Sequence, residues 1–281
     1  MTAAVDPRVA LAERVAAADG VSPLNEASRI AIAAGEPPRV DQATRDGDDL
    51  VGVAYAAGDA PVEVFVDPHH RRHGVGGALL DRLLNDGESR FWAHGDLPPA
   101  QALARSRGLG VVRTLVVLER TTADPLPEER GIDGVTIRPW RDEDTAGLVA
   151  VNARAFAMHP EQGAMDEADF RARATLPWFD PAGLFVAERD GRVVGFHWTK
   201  VDPPAIEGGE VGEVYVVGVD PSEQGHGLGK ALTLRGLHHL TGLGLARIDL
   251  YVEGDNTPAL ATYHGLGFTE SARDVLYGRN L

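Results

Sequence analysis

The residues Val214-Tyr215-Val216-Val217-Gly218-Val219-Asp220-Pro221 are mostly β-branched or aromatic, and Gln224-Gly225-His226-Gly227-Leu228-Gly229-Lys230 follows at once. A strand feeding a glycine-rich loop that opens a helix turns backbone N–H groups toward an anion, which predicts a cradle for a phosphorylated ligand. A tight strand-to-helix turn needs the same glycines, so a single copy leaves both readings open. A second copy lies upstream. There Val-Asp-Pro is again followed by a polar or basic residue, two spacers, Gly, one spacer and Gly, with Arg71, Gly74 and Gly76 matching Gln224, Gly227 and Gly229. The interval between the copies suits a duplicated domain of about 100–150 residues and is too long for a solenoid repeat.

Three further sets of residues could carry chemistry. Glu213 precedes the downstream strand, and simple alternation puts it on the face of Tyr215, Val217 and Val219, either toward a cleft or, on an edge strand, toward solvent. Tyr263 falls in a helix that Asn256 is placed to cap, with Pro258 in its first turn; it reads as a phenol offered to a site or as core packing. His69, His70 and His73, with His238 and His239, do not make a metal site. Adjacent histidines on one element point apart, and no nearby carboxylate completes a tetrahedral set. The upstream histidines, with Arg71 and Arg72, read instead as electrostatic attraction for phosphate.

The elements needed to position these groups are legible in outline. Helices are predicted over 8–18 and from the cap at 22–26 to 34, strands over 49–57 and 62–66, a helix from the glycine loop to 84, a strand at 90–93, a helix over 98–106 and a strand over 111–119. The stretch 121–134 is polar, holds two prolines and two glycines, and has no periodicity, which reads as a linker. The second half repeats the order: a strand at 135–138, a helix over 142–156, another helix, strands at 184–189 and 193–201, a helix over 227–242, a strand at 246–252, a helix over 257–265 and a strand at 275–279. The expectation is an N-terminal domain 1–120, a linker 121–134 and a C-terminal domain 135–281. The fold class is α/β of the α+β type, each domain a mixed, mostly antiparallel sheet covered by helices.

Composition narrows the chemistry. With 281 residues and 43% hydrophobic content the chain can bury two ordinary cores, and it holds no cysteine, which rules out disulfides, thiolate metal sites and a cysteine nucleophile. The formal charge of −15, from 27 basic and 42 acidic residues, argues against a general nucleic-acid surface. It would welcome an amine-bearing substrate, or serve only solubility. The N-terminus shows no basic region followed by an apolar run, and no stretch reaches the roughly 20 apolar residues of a membrane span, so a cytoplasmic location is expected.

The paired motifs resemble the signature of the GCN5-related N-acetyltransferase superfamily, Gln/Arg-x-x-Gly-x-Gly/Ala after a strand, present at residues 71–76 and 224–229. Asn256-Thr-Pro-Ala-Leu-Ala-Thr-Tyr263-His-Gly-Leu-Gly-Phe268 resembles the family segment that lies along coenzyme A and supplies a tyrosine to its sulfur. The resemblance covers both halves and implies acetyl-coenzyme A as co-substrate, with no metal. It implies contacts from Val217, Gly218, Val219, Gln224, Gly225, His226, Gly227, Leu228, Gly229 and Lys230, with Gly218 allowing a local bulge, and from Asn256, Thr257, Pro258, Ala259, Leu260 and Ala261. The upstream counterparts are Phe65, Val66, Arg71, Arg72, His73, Gly74, Val75 and Gly76. Glu213 becomes the expected general base, directly or through water, and Tyr263 the expected general acid for the departing thiolate.

Within the superfamily, the tandem layout, the string Gly-Glu-Val-Tyr-Val-Val-Gly-Val-Asp-Pro from Gly212, the turn His159-Pro-Glu-Gln162 and Leu250-Tyr-Val-Glu-Gly-Asp-Asn256 resemble the mycothiol synthase branch. That resemblance implies transfer of acetyl to the cysteinyl amine of a cysteinyl-glucosaminyl-inositol, with Glu26, Glu161, Lys200, Glu213 and Tyr251 at the acceptor, in a monomer. Aligning the halves sets Ala60 opposite Glu213 and Ala104 opposite Tyr263, so the upstream half is expected to bind coenzyme A without transferring acetyl. Two other readings stand beside this one. They are a tandem acetyltransferase for another small amine, such as an aminoglycoside, and a non-catalytic module that senses acetyl-coenzyme A.

Overall fold

The computed structural model describes residues 5–158, 162–202 and 210–279. In chain order the elements are α1 (Pro7–Asp19), α2 (Glu26–Ala34), β1 (Pro38–Asp46), β2 (Asp49–Ala57), β3 (Val62–Val66), α3 (Val75–Asn85), β4 (Arg90–Ala93), α4 (Pro98–Ser106), β5 (Gly110–Thr121), β6 (Thr136–Pro139), α5 (Thr145–Ala155), α6 (Glu167–Arg173), β7 (Leu184–Arg189), β8 (Arg192–Asp202), β9 (Val211–Val219), α7 (Leu228–Gly242), β10 (Arg247–Glu253), α8 (Thr257–His264) and β11 (Thr269–Gly278). Nearly every expected helix and strand is present, within a few residues. The chain forms two compact units: Met1–Val116 with Glu253–Asp255 and Ala272–Leu281, and Val117–Val252 with Asn256–Ser271.

Two features of this layout differ from the sequence expectation. β1 was not foreseen. Of its nine residues only Val40 is buried, so it lacks the apolar alternation that marks a half-buried strand and exists as an edge held by its hairpin to β2. The second is the end of the chain, where Val275 to Gly278 of β11 pair antiparallel with Ala93 to Arg90 of β4. These residues belong to the first unit, not the second, so the units do not separate at one cut. The stretch 121–134 is also more than a tether, because Glu129 pairs with Arg235 and the Pro127 carbonyl lies 3.0 Å from His238 Nε2, both on α7.

In the first unit the strands run in the order β1-β2-β3-β4-β11, with β3 and β4 parallel. Leu11, Val15, Leu24 and Ile32 from the α1–α2 side pack against Val53, Tyr55 and Phe65, while Leu79, Leu80, Leu83 and Ala104 of α3 and α4 cover Ala54, Ala56 and Val62 on the other face. Burial of such side chains stabilises by roughly 1.5–3 kcal/mol each. In the second unit the order is β5-β10-β9-β8-β7-β6, with β9 and β10 parallel. One face carries Leu148, Val151 and Phe170 from α5 and α6 against Val186, Phe196 and Trp198. The other carries Leu228 and Leu232 of α7 against Ala187, Val194, Val217 and Val219. Each unit is therefore a sheet with helices on both faces, as expected of a mixed α/β fold.

Candidate active site

The two glycine loops have the same backbone. Asp67 and Asp220 each cap a short 3-10 turn through the amide two residues on, Arg71 and Gln224 follow in extended conformation, and Gly74 and Gly227 sit at φ +84° and +83° before α3 and α7. Having no side chains, those two glycines offer no cap oxygen, which leaves first-turn amides of each helix turned toward an incoming anion. At the motif's first position both side chains reach back to the strand: Arg71 Nε donates to Val66 O and Gln224 Nε2 to Val219 O, each at 3.2 Å. Arg71 is also bidentate to Asp19 at 2.7 and 2.8 Å, so its guanidinium braces the loop, where the sequence suggested general attraction for phosphate. Arg72 occupies φ +66° where the downstream copy has Gly225 at +81°.

Beside the downstream cradle the sheet parts. The parallel ladder pairs Gly212, Glu213 and Val214 with Ile248, Asp249 and Leu250, yet β9 continues to Val219 and β10 to Glu253. The opening starts at a register shift in β9, because Trp198 and Thr199 of β8 pair with Val216 and Val214 and skip Tyr215. This bulge corrects two expectations. It lies at Tyr215 rather than Gly218, and it reverses the alternation, so that Val217 and Val219 face α7 while Tyr215 remains with the α5–α6 cluster. Gly218 has another reason to be glycine: a Cβ there would stand 2.4 Å from Phe196 Cε1. The strand-loop-helix cradle and the parted strands together leave a shape that suits a long phosphorylated ligand.

Glu213 and Lys200 are register partners across β9 and β8. Lys200 Nζ lies 3.6 Å from Glu213 Oε2, with side chains only 7% and 14% exposed. The lysine's ammonium also stands 5.5 Å from the Trp178 ring centroid and 5.7 Å from that of Tyr215. Asp249 pairs with Glu213 from β10, and Tyr251, two residues on, takes the same face by alternation and is half exposed. The structure thus brings together Glu213 and Lys200, with Tyr251 farther along the neighbouring strand. Glu26 lies in the first unit as the opening residue of α2, and Glu161, with His159 and Pro160, lies outside the described residues.

Tyr263 is in the last turn of α8, whose cap is Asn256, with Oδ1 accepting from the Ala259 amide at 3.2 Å. Its ring meets Phe268 edge-on at 5.9 Å. Desolvation pushes the phenol up to about 12, so it stays protonated and able to donate throughout the neutral range.

The largest cluster that sequence reasoning missed is in the first unit. His94 Nε2 is 2.8 Å from Glu63 Oε1 and His94 Nδ1 is 2.9 Å from Asp274 Oδ2, while the amides of Asn25 and Gly95 donate to the same two carboxylates. Burial alone would neutralise the imidazole, but the two carboxylates outweigh it and raise His94 to about 9. No spacing could have revealed the cluster, because its parts come from four distant segments. A second buried histidine behaves oppositely: His197 is fully buried against α7, donates nothing but its Nδ1 contact with Leu232 O at 2.8 Å, and is pushed down to about 4 by desolvation. Among the described residues no group of three or more His, Cys, Asp or Glu could hold a metal, and no helix is long and apolar enough to cross a membrane.

The family model for the acetyltransferase (GNAT) family matches residues 18–110 and 151–268, one match in each half. A mycothiol acetyltransferase of Thermomonospora curvata is 52% identical over 97% of this chain and 94% of its own length. Another of the same description, from Thermobispora bispora, is 49% identical over 96% of this chain and 94% of its own. Among solved structures, a tandem GNAT protein from the clavulanic acid biosynthesis pathway covers 96% of this chain and 93% of its own with a TM-score of 0.68. At 17% identity it speaks for the fold alone. The chain belongs to the acetyltransferase (GNAT) family in its tandem form, and its sequence groups it with the mycothiol acetyltransferases.

Proposed function

We propose that the protein transfers acetyl from acetyl-coenzyme A to the cysteinyl amine of a cysteinyl-glucosaminyl-inositol, giving mycothiol. The observation that carries the reading is near-half identity to mycothiol acetyltransferases over almost the whole chain, joined to a downstream site in which the cradle, Glu213 and Lys200 stand together. It favours this acceptor over an aminoglycoside-like amine and a catalyst over a sensing module. Acetyl-coenzyme A supplies a thioester, and the protein's task is to orient it and handle two protons. Residues 217–219, 224–230 and 256–261 hold it; Glu213 takes the proton of the attacking amine; Tyr263 gives one to the departing thiolate. The carbon–nitrogen bond forms as the carbon–sulfur bond breaks. An α-amine with a reference pKa of about 7.7–8.0 needs only modest help from the base.

Lys200, Tyr251, Glu161 and Glu26 are assigned to the acceptor, whose one ammonium and many hydroxyls suit carboxylates and a donor that shares hydrogen bonds with sugar rings. The upstream cradle, Phe65, Val66 and residues 71–76, is assigned to coenzyme A without transfer. We place the enzyme in the cytoplasm as a monomer, 1–120 and 135–281 each deriving from one copy of the duplicated domain and 121–134 joining them. The test is thiol release from acetyl-coenzyme A against a panel of small amines, with the product weighed by mass spectrometry. An acetylated cysteinyl product supports the assignment, and turnover with an aminoglycoside but not with the cysteinyl compound refutes it.

A further inference from the structure

The lysine beside the carboxylate assigned as base is flanked by an aromatic group that none of the motifs contains. Trp178, in the loop after α6, meets Tyr215 at 5.0 Å and Trp198 at 5.7 Å between ring centroids, and Trp198 meets Tyr215 at 5.5 Å with planes 86° apart. Tyr215 shares the face of Glu213, Lys200 and Trp198, and the bulge leaves it unpaired in the β8–β9 ladder beside them. The Lys200 ammonium then lies within 6 Å of two ring centroids and 3.6 Å from Glu213. A lysine 6% exposed would lose its charge or its position without compensation, and ring faces supply an attraction that survives in a dry site. We propose that Trp178 and Tyr215 form a cage that fixes the Lys200 ammonium beside Glu213, which makes both aromatic side chains positioning residues for the proton-accepting carboxylate.

The inference rests on Glu213 being the base and adds what holds it ready. Among the described residues, the charged and titratable groups on the strands around the carboxylate are Lys200 on β8, Tyr215 on β9, and Asp249 and Tyr251 on β10, with Arg247 engaging Asp249 at 2.9 Å. Lys200 is the cation that the aromatic rings touch. An ammonium fixed there favours the ionised carboxylate, so loosening it makes Glu213 easier to protonate and moves the acid limb of the rate profile to higher pH.

The experiment is the pH profile of kcat/KM for thiol release with the cysteinyl-glucosaminyl-inositol, for wild type, Trp178→Leu, Trp178→Phe, Lys200→Met and the double variant Trp178→Leu/Lys200→Met. Cation–π attractions of about 0.5–2 kcal/mol translate to a loss of about two- to thirtyfold near neutrality for Trp178→Leu, with its acid limb moved up and the KM for acetyl-coenzyme A unchanged. Trp178→Phe, which keeps a ring and guards against a folding artefact, moves the limb less. On the Lys200→Met background Trp178→Leu costs nothing further, because its effect passes through the lysine. The proposal is overturned if Trp178→Leu leaves the acid limb in place or costs as much without Lys200 as with it. A Glu213→Gln control separates the two readings: full activity in that variant sinks the base assignment itself, whereas loss of activity there beside an unmoved limb in Trp178→Leu sinks only the cage.

Discussion

β3 and β9 lead into the same phosphate cradle, but they reach it differently. β3 pairs with β2 in one unbroken register and carries Glu63 and Phe65 onto the face covered by α1 and α2, where Glu63 is 1% exposed and locked to His94. β9 is interrupted at Tyr215 and has Gly218 where β3 has Phe65. The bulge and the missing side chain mark one strand, while the other sends a large side chain and a buried carboxylate into its own core. Both strands carry a carboxylate at the mouth of the parted ladder, so having a carboxylate there is not what makes a site. Glu213 keeps a partly exposed side chain beside the cross-strand Lys200, whereas Glu63 is 1% exposed and its Oε1 accepts from the Asn25 amide and meets His94.

If that contrast is right, the two carboxylates should fail in different ways. Glu63→Gln leaves His94 charged beside one partner instead of two, and the unfolding free energy should fall by about 3–5 kcal/mol in denaturant titrations. Were the variant as stable as wild type, the cluster would not be holding the first unit together. The two buried histidines sharpen the contrast through pH. His94 is raised to about 9, so its contribution is fully present below the unfolded value near 6.5 and fades as pH rises through 9. His197 is lowered to about 4, so its neutral burial stabilises above about 6.5 and is lost as pH falls toward 4. Urea midpoints measured across pH should therefore decline on both sides of neutrality, and His94→Gln should flatten the alkaline side alone.

Smaller changes test the strands themselves. Gly218→Ala sets a methyl against the Phe196 ring and should cost about 1–3 kcal/mol by thermal denaturation, together with weaker acetyl-coenzyme A binding; an unchanged melting temperature would mean that the ring moves aside freely. Arg72→Gly removes a side chain from a left-handed position at a strain relief of about 1 kcal/mol, offset in part by the glycine's entropy. A gain of a few tenths of a kcal/mol or no change is expected, and a marked loss would show that the arginine side chain braces the upstream cradle.

What could be read in advance follows from how locally each feature is encoded. The cradles were legible because positive φ at Gly74 and Gly227 is written directly into glycine spacing. Most helices and strands were legible by period, but β1 was hidden by its polar edge and the return of β11 to β4 by the length of chain between them. Glu213 and Tyr263 stood out as residues of the right type next to a motif. Their setting did not. Val-Tyr-Val-Val carries no glycine or proline to announce a bulge, so alternation assigned Val217 and Val219 to the wrong face. Trp178 and the Asn25, Glu63, His94 and Asp274 group are gathered from loops and strands that only tertiary packing brings within reach.

In the proposed reaction the downstream half alone transfers acetyl, with Glu213 and Tyr263 moving its protons. The most direct test is the initial rate of thiol release from acetyl-coenzyme A with the cysteinyl-glucosaminyl-inositol, compared between wild type and Glu213→Gln/Tyr263→Phe at equal thermal stability. A fall in kcat of at least about a hundredfold is expected, since each proton-handling group contributes roughly that much or more. A double variant that releases thiol and yields the acetylated product at the wild-type rate would contradict it.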